Sequence, residues 1–372
     1  MRLSGEKEQM SLEILGIGTA VPVHTIVQQD AAEFAKALCC RTEQEIKQLE
    51  MLYKRTRIRT RGSVLLEREN GSGLQQTFFP SAPGSSGQGP TTEERMKRYE
   101  KEAAPLALAA CERALYESQV LPSKITHLIT VSCTGFAAPG VDIALIKELG
   151  LQKNVARMHV GFMGCHGALN GLRIASALAD SELESCILLC AVELCSLHFF
   201  YGWDPEKIIA NGLFADGAAA LIGAPAGEKN SNTWKVQATG SALFPNSENA
   251  MTWHIGNHGF EMTLSASVPV LIVTHLRTIL IEWLTKHGTS IEEIRSWAIH
   301  PGGPRIIDEI AACLNLPERM VAVSRSILAE HGNMSSPTLL FILQRLRQEK
   351  APRPCLALGF GPGLAAEMAL FA

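Results

Sequence analysis

HVGFMGCHGALNGLRIASALADS, residues 159–181, predicts a strand that turns sharply into a buried helix, with Cys165 near the helix start. Small residues flank the cysteine on both sides. After it, apolar residues recur at helical spacing, at Ala168, Leu172, Ala175 and Ala179. The positive end of the helix dipole favours a thiolate, so we expect a lowered pKa and a nucleophilic role for Cys165. A buried structural thiol is the alternative from this segment alone.

Apolar runs alternate with helical stretches along the rest of the chain, which predicts an α/β fold. The expected strands are Leu12–Gly18, Ile125–Ser132, Cys186–Val192 and Ser296–His300, of which the last three have the composition of buried parallel strands. We expect helices over 28–52 and from Thr91 to about Tyr116, where Thr91 and Glu94 have the spacing of a capping box. The Gly-, Ser- and Pro-rich stretch 71–90 is expected to be an exposed loop.

A polar segment, GAPAGEKNSNTW (223–234), is the expected boundary between two halves, 1–230 and 231–372. ITHLITVSCTG (125–135) and IRSWAIHPGG (294–303) each run from a strand into a Gly-rich loop. CILLCAVEL (186–194) and PCLALGFGPG (354–363) do the same. This faint repetition predicts two similar α/β halves, the first carrying the cysteine.

Composition excludes several classes of protein. The 372 residues are 46% hydrophobic and only 19% charged, below the usual ~25%, which predicts extensive burial and allows for a subunit interface. The net charge of −3 lacks the basic excess of a nucleic-acid-binding domain. No uninterrupted apolar run approaches the ~18 residues of a membrane span. The charged start and ten dispersed cysteines predict a cytoplasmic protein with reduced thiols.

His300 and Asn333 form a chemically coherent set with Cys165. His300 ends a strand before a glycine loop, where α/β folds place functional groups, and Asn333 lies in the loop HGNMSSP (331–337). A thiolate can form a thioester, while an imidazole and a carboxamide can stabilise an oxyanion. A core histidine and a turn asparagine are the structural alternatives. His166 and His331 are rival candidates for the histidine.

Basic residues alternate after Lys54, at Arg55, Arg57, Arg59 and Arg61. On a strand they would line one face, which could be a solvated surface or a site for the phosphates of a nucleotide-bearing thioester. No P-loop, dinucleotide fingerprint or zinc-ligand spacing occurs in the sequence.

Five segments together resemble the type III polyketide synthases, the chalcone synthase-like enzymes, with closer similarity to the bacterial branch. They are GFMGCHGALNGL (161–172), NGLFADGAAALIG (211–223), AIHPGGPRIID (298–308), GNMSSPT (332–338) and GFGPGL (359–364). The resemblance implies a thiolase-like fold of two duplicated halves with layered helices and sheets, a homodimer, and no metal or redox cofactor. It also implies iterative decarboxylative condensation of malonyl-CoA onto an acyl-CoA starter, and cyclisation to a pyrone or phenolic product.

The resemblance also implies roles for single residues. Cys165 would carry the starter and the growing chain, and His300 and Asn333 would form the oxyanion hole and polarise the malonyl thioester. Phe214 would be an aromatic gatekeeper. The basic stretch, chiefly Arg55 with Lys54, would lie at the coenzyme A entrance.

Several cavity positions depart from the plant enzymes. Met262 replaces a second gatekeeper phenylalanine and Trp253 replaces a glycine, which should narrow the pocket. Other positions expected to line the substrate cavity are Cys133, Thr134, Cys195, His198 and Ser335, the last of which matches the family. These changes argue against a plant-type chalcone product.

Three other functions remain open from the sequence. A ketoacyl synthase III would make one condensation with a carrier protein. A cysteine hydrolase would break bonds without forming carbon–carbon bonds. A catalytically silent binding protein would not become acylated at Cys165.

Overall fold

The computed structural model describes residues 11–68, 73–80, 89–227, 233–265 and 267–372. The strands are β1 (Leu12–Ala20), β2 (Thr25–Val27), β3 (Thr60–Gly62), β4 (Glu67–Arg68), β5 (Leu74–Gln75), β6 (His127–Ser132), β7 (Ala156–Gly161), β8 (Ile187–Leu194), β9 (Asp216–Pro225), β10 (Trp234–Leu243), β11 (Met251–Gly256), β12 (Gly259–Leu264), β13 (Ser296–Ile299), β14 (Cys355–Gly361) and β15 (Ala365–Phe371). The helices are α1 (Gln28–Cys39), α2 (Glu43–Arg55), α3 (Thr92–Ser118), α4 (Val141–Leu149), α5 (Gly167–Ser181), α6 (Pro205–Leu213), α7 (Val268–Lys286), α8 (Pro304–Leu314), α9 (Glu318–His331) and α10 (Pro337–Gln348).

One sheet runs through both halves of the described chain, in the order β13-β14-β15-β10-β1-β9-β8-β6-β7. β1 joins the halves, because it pairs antiparallel with β9 on one side and with β10 on the other. β6 is parallel to β7 and β8, and β13 is parallel to β14. Each half therefore contributes a parallel group at one end of the sheet. The division at 1–230 and 231–372 stays a prediction.

Helices cover the sheet in layers. α5 and α10 share one core with strands of both halves. Leu172 of α5, Leu340 of α10 and Ala357 of β14 all lie in this core. α3 packs on β1 so closely that a Cβ on Gly18 would lie 2.1 Å from the Ala110 carbonyl oxygen. Only glycine permits this contact. α7 and α8 cover the second half.

The local sequence signals agree with most elements. All four predicted strands are present, and Thr91 and Glu94 form the predicted capping box at the start of α3. The single helix expected over 28–52 is wrong, because α1 and α2 are separate helices. Thr42 caps α2 through a second capping box with Glu45, whose spacing is the same signal. Of the loop expected over 71–90, residues 71–72 and 81–88 lie outside the described residues.

Among the described helices, only α7 has the length and apolar composition that could cross a membrane. Its residues Ile272, Leu276, Leu280 and Leu284 are fully buried in the core of the second half. This one-sided burial is the pattern of an amphipathic helix packed on a protein core. Length and composition are therefore weak evidence for a membrane span here.

Candidate active site

Cys165 lies in a single 3₁₀ turn, Gly164–His166, that links β7 to α5. The approach is sharp, with positive φ angles of 59° at Phe162 and 74° at Gly164. A Cβ at Gly164 would also lie 2.4 Å from the Cδ of Pro362. The glycine before the cysteine is therefore required both by its backbone angle and by close packing. The predicted position of Cys165 at the start of a buried helix is confirmed.

Burial raises the pKa of the Cys165 thiol to about 11, while the nearby side chains of Ser335 and Asn333 act in the opposite direction. The expectation of a lowered pKa is therefore wrong in direction, because burial disfavours the charged form of the thiol. Thiolate chemistry at this position consequently needs a nearby group that accepts the thiol proton.

His300 lies in the same chamber as Cys165. It follows β13 and is 1% exposed, and its backbone N–H donates to the Leu358 carbonyl at 2.8 Å. Burial lowers the pKa of its imidazole to about 3, with a smaller contribution from His166. Neither ring nitrogen has a hydrogen-bond partner among the described residues. A neutral imidazole can therefore accept a proton at one nitrogen and donate from the other.

Asn333 supplies a second unpartnered donor. Its Oδ1 accepts a hydrogen bond from the Ser335 backbone N–H at 2.8 Å, which fixes the orientation of the amide. Its Nδ2 is buried and finds no partner within the part of the chain that the structure describes. Asn333 is also held by backbone pairing to the segment around Phe214, through Leu213 and Ala215 at 2.9 Å each.

Two connected chambers meet at Cys165. The smaller, of about 30 Å³, contains His300 and Asn333, with Phe214 and Met262 as shared walls. The larger, of about 160 Å³, is lined by the other predicted cavity residues, Cys133, Thr134, Cys195, His198, Trp253 and Ser335. The structure thus brings together every predicted catalytic and cavity residue, while their roles stay predictions.

The hairpin β11–β12 closes one side of the larger chamber. The Trp253 indole N–H donates to the Cys133 carbonyl at 2.7 Å. His198 Nε2 donates to the Thr134 carbonyl at 2.7 Å, and its Nδ1 accepts from the Phe260 N–H at 2.9 Å. Burial lowers the pKa of His198 to about 3, so the imidazole is a neutral structural link. Hydrogen bonds to the backbone therefore fix both Trp253 and His198 on this side of the chamber.

The four alternating arginines do not share one face, so that interpretation is wrong. Arg55 ends α2, and the positive φ of 56° at Arg57 breaks the alternation before β3. The Arg61 guanidinium turns inward and donates to the Asn211 and Phe214 carbonyls at 2.7 and 2.6 Å. Arg61 therefore positions Phe214 instead of facing solvent.

A basic surface lies beside the smaller chamber. Arg57 pairs with Asp308 of α8 at 3.3 Å, and Arg59 lies 3.6 Å from Glu330. Ile306 of α8 lines the smaller chamber, so Arg57, which pairs with Asp308 of the same helix, lies near that chamber. Lys54 and Arg55 are exposed in the last turn of α2, just before Arg57.

Glu193, at the end of β8, is a site residue that our sequence analysis missed. It is fully buried, and burial raises its pKa. Its carboxylate accepts hydrogen bonds from the Cys133 and Thr134 backbones, at 2.9 and 3.1 Å, and from the Ser336 hydroxyl at 2.6 Å. The available signal was one acidic residue ending the apolar run CILLCAVEL.

Neither rival histidine lines the chambers. The His166 Nδ1 is 2.8 Å from Asn170 Oδ1, and its ring packs against Gly361. His331 contacts the Phe341 ring, 5.2 Å between centroids. Among the described residues, no three His, Cys, Asp or Glu side chains are arranged to hold a metal ion.

Comparison with known proteins identifies related sequences and structures along the whole chain. The family model "Chalcone and stilbene synthases, N-terminal domain" matches residues 4–226, and the corresponding C-terminal domain matches 235–372. Alpha-pyrone synthesis polyketide synthase-like Pks18 of Mycobacterium tuberculosis is 33% identical, over 96% of this chain and 90% of its own. The 1,3,6,8-tetrahydroxynaphthalene synthase of Streptomyces peucetius subsp. caesius is 31% identical, over 96% and 92%. The crystal structure of PKS-I from the brown alga Ectocarpus siliculosus matches with a TM-score of 0.92 and 30% identity, over 99% of both chains.

Proposed function

Because this chain belongs to the chalcone and stilbene synthase family, and is a type III polyketide synthase of thiolase-like fold, we propose that Cys165 carries the acyl starter during repeated condensation with malonyl-CoA. The assignment of the site depends on one observation. His300 and the Nδ2 of Asn333 are buried without partners among the described residues, in the chamber that also contains the Cys165 thiol. Unpaired buried donors are costly unless they bind something.

In the loading step, the sulfur of Cys165 attacks the carbonyl carbon of the acyl-CoA. His300 accepts the thiol proton as the carbon–sulfur bond forms, because pKa values of about 11 for the thiol and about 3 for the imidazole disfavour a separate ion pair. The bond between the carbonyl carbon and the CoA sulfur then breaks, and the proton passes from His300 to the leaving CoA thiolate. The products are the Cys165 thioester and free CoA.

In the extension step, malonyl-CoA loses carbon dioxide and becomes the enolate of acetyl-CoA. The developing negative charge lies on the thioester oxygen, where His300 and Asn333 can each donate a hydrogen bond. The apolar walls of the smaller chamber, including Phe214, Met262 and Phe360, exclude water from the enolate. The enolate carbon attacks the Cys165 thioester, which expels the cysteine sulfur as a thiolate and forms a β-ketoacyl-CoA. The thiolate then attacks that thioester in the next loading step, and the CoA released takes up a proton from water.

The CoA moiety fits the basic surface outside the smaller chamber. Its phosphates are anions, and Arg57 and Arg59 are 62% and 69% exposed there. We assign Lys54 and Arg55 to the outer part of the same surface, because the last turn of α2 leads directly into Arg57. The reaction uses CoA thioesters as substrates and requires no metal or redox cofactor.

We further propose release by lactonisation to a pyrone. An enol oxygen of the extended chain would attack its thioester carbonyl and expel the sulfur, using the same oxyanion donors. Similarity to a relative named for alpha-pyrone synthesis supports this choice. A small phenolic ring is the alternative product.

A homodimer is supported by the exposed edge of the sheet at β7. Within the described sheet β7 pairs on one side only, with β6, and exposed edges of this kind can pair with a second chain. Phe136 and Phe162 beside it are 53% and 36% exposed. Sedimentation equilibrium should give twice the chain mass of 40.3 kDa, and a mass of one chain would contradict the dimer. The cytoplasmic location stays a prediction.

Product analysis tests the proposed reaction directly. The purified protein is supplied with malonyl-CoA and a series of acyl-CoA starters, and products are identified by liquid chromatography and mass spectrometry. We expect products longer than the starter by two or more ketide units. Single extension, or activity only with a carrier protein, would assign the chain to the ketoacyl synthase III reaction.

Replacing Trp253 with glycine is expected to change the product profile. The substitution removes the indole that narrows the larger chamber and its hydrogen bond to the Cys133 carbonyl. The variant should accept bulkier starters or add at least one further ketide unit, as measured by mass spectrometry. Trp253→Phe, which keeps an aromatic ring, is the control, and an unchanged profile in Trp253→Gly would contradict the steric role.

A further inference from the structure

The larger chamber extends beyond the residues that the proposed chemistry uses. Its lining also includes a group of apolar residues, Ile26, Ala31, Phe34, Leu38, Leu66 and Phe199. Ala31, Phe34 and Leu38 follow one another at intervals of three and four residues, so they lie on one face of α1. We call this extension the α1 arm. Decarboxylation and thioester formation need only Cys165 and the smaller chamber, so the arm requires a separate explanation.

Polar groups around the α1 arm are already paired. The Gln76 side chain bonds the backbone of Phe79 twice, at 2.7 and 2.8 Å. Lys207 pairs with Glu261 at 3.1 Å and lies 3.6 Å from the centre of the Phe200 ring. The arm therefore offers apolar contact and few free donors.

The apolar lining of the α1 arm suits some parts of the substrate better than others. The extended chain carries a carbonyl on every second carbon, and burying these without donors would be unfavourable. The CoA phosphates need cations, which lie beside the smaller chamber at Arg57 and Arg59. A hydrocarbon tail attached to the starter carbonyl needs neither donors nor cations.

Another part of the chamber is lined by packed rings, those of Trp253, His198 and Phe260. Trp253 and His198 are each hydrogen-bonded to the backbone at 2.7 Å, and His198 stacks on Phe260 with 4.3 Å between centroids. A flexible tail can avoid this wall by entering the α1 arm. From these observations we infer that the starter is a linear aliphatic acyl-CoA, whose tail occupies the α1 arm while its carbonyl is bound to Cys165. This inference rests on the proposed function.

The test compares kcat/KM for acetyl-, hexanoyl-, octanoyl-, decanoyl- and benzoyl-CoA with malonyl-CoA. Each methylene moved from water into the arm should raise kcat/KM about four-fold until the arm is full. Benzoyl-CoA should be a poor starter. Equal kcat/KM for acetyl- and decanoyl-CoA would overturn the inference while leaving the proposed function intact. No condensation product from any starter would overturn the proposed function itself.

Two substitutions on α1 form a matched pair. Ala31 is 7% exposed and lines the arm, whereas Ala37 on the same helix is exposed. Ala31→Leu should lower kcat/KM for decanoyl-CoA at least about ten-fold and leave the value for acetyl-CoA unchanged. Ala37→Leu should change neither. Equal losses for both starters in a folded Ala31→Leu protein would contradict the assignment.

A variant that enlarges the α1 arm tests the same inference if Ala31→Leu does not fold. Phe34→Ala removes a ring from the wall of the arm. It should shift the preferred starter to a longer chain, in the same mass-spectrometric assay. An unchanged preference in folded Phe34→Ala protein would overturn the assignment of the tail to this arm.

Discussion

Cys165→Ala is expected to abolish polyketide formation, with kcat reduced by at least about 10⁴-fold, because no thioester can form without the sulfur. Decarboxylation of malonyl-CoA should persist, since His300 and Asn333 remain in the smaller chamber. Liquid chromatography with mass spectrometry measures both outcomes in one reaction, as ketide products and as acetyl-CoA. Intact-protein mass spectrometry should also lose the acyl adduct.

Cys133 and Cys195 provide matched controls for this variant. Both are buried cysteines that line the same chamber, yet neither lies at the start of α5. Alanine at either position should leave the acyl adduct on Cys165. Normal product from Cys165→Ala would refute the covalent role, and an adduct that disappears only in Cys133→Ala would move that role to Cys133.

Asn333→Ala should have the second-largest effect. It removes the Nδ2 donor, and loss of one oxyanion donor typically lowers kcat about 10²- to 10³-fold. Both decarboxylation and condensation should fall together, because both pass through the same enolate. The rates of acetyl-CoA and product formation are measured under saturating malonyl-CoA.

Asn333→Asp distinguishes the loss of the hydrogen-bond donor from the loss of side-chain packing. The carboxylate has nearly the same shape, but it can only accept hydrogen bonds when ionised. It should be as defective as alanine, with an unchanged melting temperature as evidence of folding. Normal malonyl decarboxylation in either variant would exclude Asn333 from the oxyanion hole.

Local patterns predicted those features that depend on short stretches of chain. The strand of Leu12–Gly18, the capping box at Thr91 and the helix after Cys165 each follow from residues within one or two turns of one another. The break at Thr42 carried the same local signal and was overlooked. Such features need no knowledge of the tertiary fold.

Features that depend on distant contacts were not predictable in the same way. The arginine alternation suggested a common face, but Arg61 instead meets carbonyls about 150 residues away, at Asn211 and Phe214. Glu193 joins segments that are remote in the sequence. The pKa of Cys165 is raised where the sequence predicted a lowered value, because several elements pack together to bury the thiol. Local arguments captured the helix terminus and omitted that desolvation.

The backbone bridge between Phe214 and Asn333 has a consequence for engineering this enzyme. Backbone hydrogen bonds join the segments of Phe214, the proposed gatekeeper, and Asn333, the proposed oxyanion donor, so a backbone shift at Phe214 should also displace the Asn333 amide. Substitutions around Phe214 that admit more starters should therefore lower kcat. The α1 arm is lined in part by Ala31, Phe34 and Leu38 of α1, whereas the residue of α1 that bonds the Phe214 segment is Gln28, through the Gly212 carbonyl at 2.7 Å. The three lining residues can therefore be varied while the Gln28 contact is kept. Selection for new starters should accordingly accumulate changes on α1 before it accumulates them around Phe214.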